Sequence, residues 1–415
     1  MKAFAGALVA AVLASAAAAQ VPYGPTDTPA SGASVCPNGL CQPEALNGVF
    51  EALARAEAGA VTAPVHILQI GDSHTAGDRI TGKLRAALQA RFGDGGRGVL
   101  PPGIPYEGYA PLQVEVTADG WATTLAPLAG NAGYVRAGVG LSGVQAVTVR
   151  PGSALTIRRE TASPAFVQIG LCGEGPGRLE VMADDARWTV DFGEERCAIL
   201  YSDGSPRQVQ LRALDDVLSL HDFRLTNMAP GVELSNLGVV GATIRDLAAR
   251  DQRVVARELA AWRPALIVLA FGTNEGFDDS LDPRAYEALL RGQIVRLRRL
   301  APEASLMILG APDALRNGVT NGCSADGRRS PPPSLAVVRD VQRRVAADMG
   351  VAFWDWHGRM GGDCSADRLA TRGEPFMLRD RVHFSSAGAD WIGGALNADL
   401  MTAYDAWSAR RGGGE

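Results

Sequence analysis

The chain has 415 residues, of which 47% are hydrophobic and 20% charged, with a formal net charge of -5. That length suits two domains, or one large domain with an insertion, and the apolar share excludes wholesale disorder. The acidic balance, without any run of Lys or Arg, speaks against nucleic acid as a partner.

Residues 1–19 carry one basic residue, Lys2, then an Ala/Val/Leu-rich core that ends in small residues, with Ala17 and Ala19 at A-x-A positions. This pattern predicts a secretory signal peptide cut before Gln20 and hence a periplasmic or secreted protein. The segment is too short and too weakly apolar for a stable anchor, and no later stretch approaches a membrane span. The six cysteines, Cys36, Cys41, Cys172, Cys197, Cys323 and Cys364, then read as disulfides. Sequence alone leaves all pairings open, and nearest-neighbour pairing is the expectation. No C-x-x-C pair occurs and the histidines are not clustered near cysteines, so no metal is expected, nor any other cofactor.

Residues 20–63 form an N-terminal segment, rich in Pro, Gly and Ser at first and helical from about Pro43 to Ala58. An α/β rhythm begins in 64–104: strand-like Val65–Ile70 leads to a helix with Ile80, Leu84, Ala87 and Leu88 on one face. From about 105 to 230 the pattern changes to short alternating runs such as "LQVEVTA", "RLEVMAD" and "RQVQLRAL", separated by Gly, Pro and Asp, which predicts an inserted small all-β module. The rhythm returns over 231–402. Strand "GVELSNLG" precedes a helix from Thr243 to about Ala261, and "ALIVLAFG" is the continuous apolar run of a buried parallel strand. A helix striped by Tyr286, Leu289, Leu290, Ile294 and Leu297, strand "ASLMILGA", a helix from about Ser334 to Met349, strand "VAFWDW" and a helix from about Ser385 follow. Residues 403–415 read as a tail. The fold class is therefore α/β: a doubly wound parallel sheet with a β module inserted after its first helix.

In such sheets function collects at the carboxyl ends of the strands. Three ends carry polar residues: "GDSH" with Asp72, Ser73 and His74; "SNLGVVGAT" with Asn236, Gly238 and Gly241; and "FGTNE" with Gly272, Thr273 and Asn274. Ser73 at a strand-to-helix turn is placed like a nucleophile, which needs a base and an orienting partner. Of the five histidines, His66 lies within a strand and reads as structural, and His221 falls in the β insert. His74 and His357 are possible cleft residues, as are Asp72 and Asn236, with Asp72 expected mainly to tie down the turn. His383 stands before the last helix with Asp380 three residues upstream, close enough to hold its Nδ1–H.

"GDS" after a strand, N-x-G-x-x-G, "GTN" after a strand and D-x-x-H near the C-terminus occur in this order, and together they resemble the SGNH (GDSL-type) hydrolases over residues 64–105 and 231–402. The resemblance implies a flavodoxin-like sheet and a serine esterase, with Ser73 as nucleophile, His383 as base and Asp380 as its partner. It implies an oxyanion hole made of the Ser73 amide, the Gly241 amide and the Asn274 side chain. "GDSHTAGD", export and an inserted β module are similar to the bacterial peptidoglycan O-acetylesterases, which implies an acetylated glycan as partner and release of acetate from the 6-hydroxyl of N-acetylmuramic acid. Esterases or acetyltransferases for another polysaccharide, lipases, thioesterases and a non-catalytic glycan binder remain the alternatives.

Two motifs are set aside. "GVGLSG", Gly138 to Gly143, matches a dinucleotide fingerprint but is followed by a strand-like run instead of a helix. Trp354 and Trp356 alternate around Asp355 and are expected in the core rather than under a sugar ring.

Overall fold

A computed structural model describes residues 34–125, 138–160, 165–193, 196–215, 218–318 and 322–412, so the expected signal peptide lies outside the described residues. The central sheet runs, from edge to edge, Leu40–Cys41, Ala352–Trp354, Ser305–Leu309, Leu266–Ala270, Val65–Gly71, Val232–Gly238. All neighbours pair in parallel except the short Leu40–Cys41 edge. The strands are buried because both faces are covered, and Leu266–Ala270 is apolar throughout. Helices Gln252–Trp262, Pro283–Leu300 and Pro333–Met349 bury one face around Leu259, Ile294 and Val345, and helices Asn47–Glu57, Arg79–Phe92 and Ser386–Gly412 bury the other around Phe50, Leu88 and Leu396. Among the parallel strands the first in the chain, Val65–Gly71, sits between the second, Val232–Gly238, and the third, Leu266–Ala270, so the winding reverses between Val65–Gly71 and Leu266–Ala270, where a cleft opens in folds of this kind.

Two antiparallel sheets lie beside this unit. One runs Ala186–Asp191, Arg178–Ala183, Gln208–Ala213, Ala154–Arg159, Val114–Asp119; the other runs Arg196–Tyr201, Gln168–Glu174, Ser219–Thr226, Val144–Thr148, Trp121–Leu125. Alternate residues face inward, as in Gln208–Ala213, where Val209, Leu211 and Ala213 are buried between the sheets. Gly96–Leu100, grouped from sequence with the α/β segment, pairs along Ser219–Thr226 instead. Trp262 packs against Gly170, whose β-carbon would come within 2.6 Å of the indole, and donates its Nε1–H to Asp222 at 2.8 Å.

The helix expected as one piece from Thr243 breaks into Ile244–Ala248 and Gln252–Trp262, because Asp251 caps the second piece by accepting the Arg253 amide. The last helix continues to Gly412, well into the stretch read as a tail. Trp354 and Trp356 are both buried, Trp354 donating to Asp399 at 2.8 Å. Disulfides join Cys36 to Cys41, Cys172 to Cys197 and Cys323 to Cys364. Among the described residues no helix is long and apolar enough to cross a membrane.

Candidate active site

The Val65–Gly71 strand stops where Asp72 leaves it and caps the short helix Ser73–Ala76, its carboxylate accepting the His74 amide at 2.9 Å. The turn packs tightly on the next strand end: a β-carbon at Gly238 would lie 2.1 Å from the Ala76 nitrogen. Polar side chains fix it from beneath. Asn236 donates to the Thr75 carbonyl at 3.1 Å and accepts from Arg97 at 2.9 Å, and Gln69 donates to the Thr75 hydroxyl at 2.9 Å. Arg97 and Arg85 converge on buried Asp78 at 2.8 and 3.0 Å. Burial works to raise the Asp78 carboxyl, but the two guanidiniums outweigh it and hold the group below the usual carboxylate range.

Ser73 therefore projects from a rigid turn. Its Oγ lies 2.9 Å from His383 Nε2, across 310 residues of chain, and His383 Nδ1 lies 2.8 Å from Asp380 Oδ2. The other oxygen of Asp380 accepts the Val382 and His383 amides at 2.9 and 3.0 Å. Partial burial pushes this carboxyl up, but the His383 ring and the two amides pull harder and leave it below its ordinary value. Asp380 thus stays ionised and fixes Nδ1 as a donor, which leaves Nε2 free to accept the Ser73 proton. The side chains of His383 and Asp380 are 43% and 45% exposed, so a substrate can reach them.

On the opposite side, Gly241 takes φ +78°, a left-handed turn that favours glycine. Asn274 donates to the Ala242 carbonyl at 2.9 Å, and Glu275 accepts the Ile244 amide at 2.8 Å. Thr243 and Asp246 complete a capping box, so the segment from Gly241 to Ile244 is pinned on each side. Burial pushes Glu275 up to about 7, against the pull of backbone amides led by Ile244. A carbonyl oxygen turning negative could meet fixed N–H donors here without waiting for solvent to reorganise.

The residues expected at the site do not all meet in one place. Ser73, His383 and Asp380 form one hydrogen-bonded chain. Asp72 ties down the turn. His74 is buried beside the Asp380–His383 loop and Asn236 is buried under the serine turn. His357 instead lies 2.9 Å from Asp363, and its ligand atom, with those of Asp313 and Asp363, falls within 4.8 Å of the others. Such a trio has the donor types of a cation site, but Arg339 reaches Asp363 at 3.5 Å and already supplies positive charge there. Gln69, Asp78, Arg85, Arg97 and Glu275 were not singled out from sequence; a glutamine inside the buried run "VHILQI" was the one visible signal.

Comparison with known proteins fits this geometry. Residues 215–391 match the GDSL-like Lipase/Acylhydrolase family, a stretch that holds Gly241, Asn274, Asp380 and His383 and begins after Ser73. No curated protein matches the sequence. Among solved structures, the chain is similar to a peptidoglycan O-acetylesterase with 26% identity and a TM-score of 0.75, covering 88% of this chain and 99% of that one. It also matches an acetyl xylan esterase at 17% identity and a TM-score of 0.31, covering 40% of this chain and 80% of that one. A family two carbohydrate esterase from Cellvibrio japonicus matches at 12% identity and a TM-score of 0.29, with 70% and 98% covered.

Proposed function

We propose that this chain, an ester hydrolase similar to the GDSL-like Lipase/Acylhydrolase family over residues 215–391, removes O-acetyl groups from peptidoglycan, with Ser73, His383 and Asp380 as the reacting set. One observation supports the choice of substrate: the likeness to a peptidoglycan O-acetylesterase covers 88% of the chain, a share larger than the central sheet and its helices alone can supply. Three disulfides fit an oxidising compartment, where peptidoglycan is found.

In this reading Ser73 Oγ attacks the acetyl carbonyl while its proton passes to His383 Nε2. The oxygen that turns negative is met by the Ser73 and Gly241 amides and by Asn274, whose second N–H is not needed by Ala242. The tetrahedral adduct collapses, the ester C–O bond breaks, and His383 returns the proton to the departing sugar hydroxyl. Water then attacks the acetyl-Ser73 ester, losing a proton to His383; the second adduct collapses, the bond from the acetyl carbon to Ser73 Oγ breaks, His383 returns the proton to Oγ, and acetate leaves. Asp380 remains ionised throughout and steadies the imidazolium in each half.

The test is acetate release from O-acetylated peptidoglycan, with chemically de-O-acetylated peptidoglycan as blank and acetylated xylan as competitor. The reading expects release from the first substrate at a kcat/KM well above that on xylan, abolished in Ser73→Ala. Equal or better turnover of xylan would reassign the substrate; full activity in Ser73→Ala would discard the mechanism.

A further inference from the structure

His74 adjoins the proposed nucleophile yet does not point at it. The ring is buried, with Nδ1 3.2 Å from Asp72 Oδ1 and Nε2 2.9 Å from the Val382 carbonyl oxygen. Both partners are acceptors. A neutral imidazole has one N–H and would turn a lone pair toward one of them, whereas an imidazolium donates to both. Burial is the strongest influence and opposes the charge, but Asp72 by charge and hydrogen bond, then the Val382 carbonyl and Asp380, outweigh it and hold the group above its ordinary value. The other faces of the ring meet Trp356, His383 and Phe384, with ring centres 5.4, 5.6 and 5.9 Å away. The ionisable groups around it are thus Asp72, Asp380 and His383, with Glu275 electrostatically linked to Asp72.

Val382 is the mechanical centre of the Asp380–His383 loop. Its amide holds Asp380 Oδ1 at 2.9 Å, and its carbonyl is the atom that His74 grips. The gripping ring belongs to the same four-residue helix as Ser73. We propose that His74, as an imidazolium, is a positioning residue that clamps the loop carrying the base to the turn carrying the nucleophile, and so sets the Ser73–His383 distance. The proposal rests on the reading of Ser73 and His383 as nucleophile and base. It predicts that the clamp opens when the ring loses its proton, since a neutral ring must release either Asp72 or Val382.

The experiment compares wild type, His74→Gln, His74→Leu and Ser73→Ala on a small acetyl ester, with kcat and KM measured from pH 5.5 to 9.5. Glutamine can donate to Val382 at every pH, whereas leucine cannot donate at all. His74→Leu should lower kcat by on the order of a hundredfold, as a displacement of about 1 Å would, with little change in KM. His74→Gln should keep most of the neutral-pH kcat and lose the alkaline decline expected of wild type. A merely structural role would lower the melting temperature of both variants and leave the shape of the pH profile alone. Should His74→Leu fail to fold, wild type against His74→Gln still decides the matter. An alkaline limb identical in those two overturns the clamp; substantial activity in Ser73→Ala instead overturns the reading beneath it.

Discussion

Two parts of the molecule use the same chemical groups to opposite ends. At the carboxyl edge of the central sheet, Asp380 is half exposed, accepts three hydrogen bonds from Val382 and His383, and stands below the ordinary carboxylate range. At the joint between the antiparallel sheets and helix Gln252–Trp262, Asp222 is fully buried and accepts from Trp262, while Glu258 accepts the Leu141 amide at 2.6 Å. Burial drives Asp222 up to about 6 and drives Glu258 well above the usual range. One oxygen on each, Asp222 Oδ1 and Glu258 Oε1, lacks any other partner, so a proton between the carboxyls is what satisfies both. Surrounding donors make Asp380 a permanent charge, whereas a facing carboxyl makes Asp222 and Glu258 a store for a proton. Burial and donor count, rather than residue type, separate a working anion from a structural acid.

That contrast predicts that edge substitutions abolish turnover and spare stability. The largest effect belongs to Ser73→Ala, which should lower kcat by about ten-thousandfold or more, measured as acetate release. Asp380→Asn should approach it, with a loss of about a thousand- to ten-thousandfold, because an amide can no longer fix His383 as a donor at Nδ1. A large fall in melting temperature in either variant would blur the contrast and show the edge to be part of the core. Asn274→Ala should cost about a hundred- to a thousandfold in kcat. Its effect includes slackening of the Gly241 turn, since Asn274 also holds the Ala242 carbonyl.

An intermediate effect comes from the loop behind the base. The Cys323–Cys364 bond closes 41 residues. Beside it, the Arg316–Ser330 hairpin sends Arg329 to the Asp380 carbonyl at 3.0 Å, and Leu315 donates to the Arg381 carbonyl at 3.0 Å. Loop closure of this size is worth about 4 kcal/mol in the chain-entropy account. The double substitution Cys323→Ser with Cys364→Ser should reduce kcat by up to about a hundredfold at temperatures below the melting transition. Unchanged kcat in a variant with lowered melting temperature would confine the bond to stability.

The residues proposed to react were legible because each sits in a short contiguous pattern, "GDSH" after a strand and D-x-x-H before the last helix. Leu266–Ala270 was legible as a continuous apolar run. Leu40–Cys41 was not, since two residues cannot display alternation. Gly96–Leu100 hid behind its glycines and behind Arg97, a buried cation that no hydrophobic pattern announces. The break at Asp251 hid inside a run whose apolar spacing continues on both sides. His74 was legible as a residue near the cleft but not as a clamp, because its second partner lies 308 residues away. Glu258 was not singled out from sequence, and only the third dimension sets a second carboxyl against it.

The smallest expected effect is also the sharpest test of the comparison, because it concerns stability alone. A carboxyl whose folded value is raised holds its proton in the native state while the unfolded chain has already released its own. Stability from Asp222 and Glu258 is therefore fully present below the ordinary carboxylate range and is lost as pH rises, through about 6 for Asp222 and through the raised value of Glu258. Other groups face the pair: His221 and Arg224 beside Asp222, and Arg250 beside Glu258, itself lowered to about 10 mainly by burial. Glu258→Gln replaces the protonated acid with a neutral group of the same shape, whose oxygen can accept from Leu141 while its nitrogen donates to Asp222. Arg250 keeps Asp246 close by. The melting temperature of the wild type should decline between about pH 5 and 9, and that of Glu258→Gln should decline less, ending higher by on the order of a few degrees at the alkaline end. His74 contributes a decline of the same sign, but it is present in both proteins and cancels in their difference. The kcat of Glu258→Gln should match wild type, since nothing at the joint touches Ser73 or His383. Parallel melting curves in the two proteins would show that no proton is stored at the joint, and the contrast with Asp380 would reduce to exposure alone.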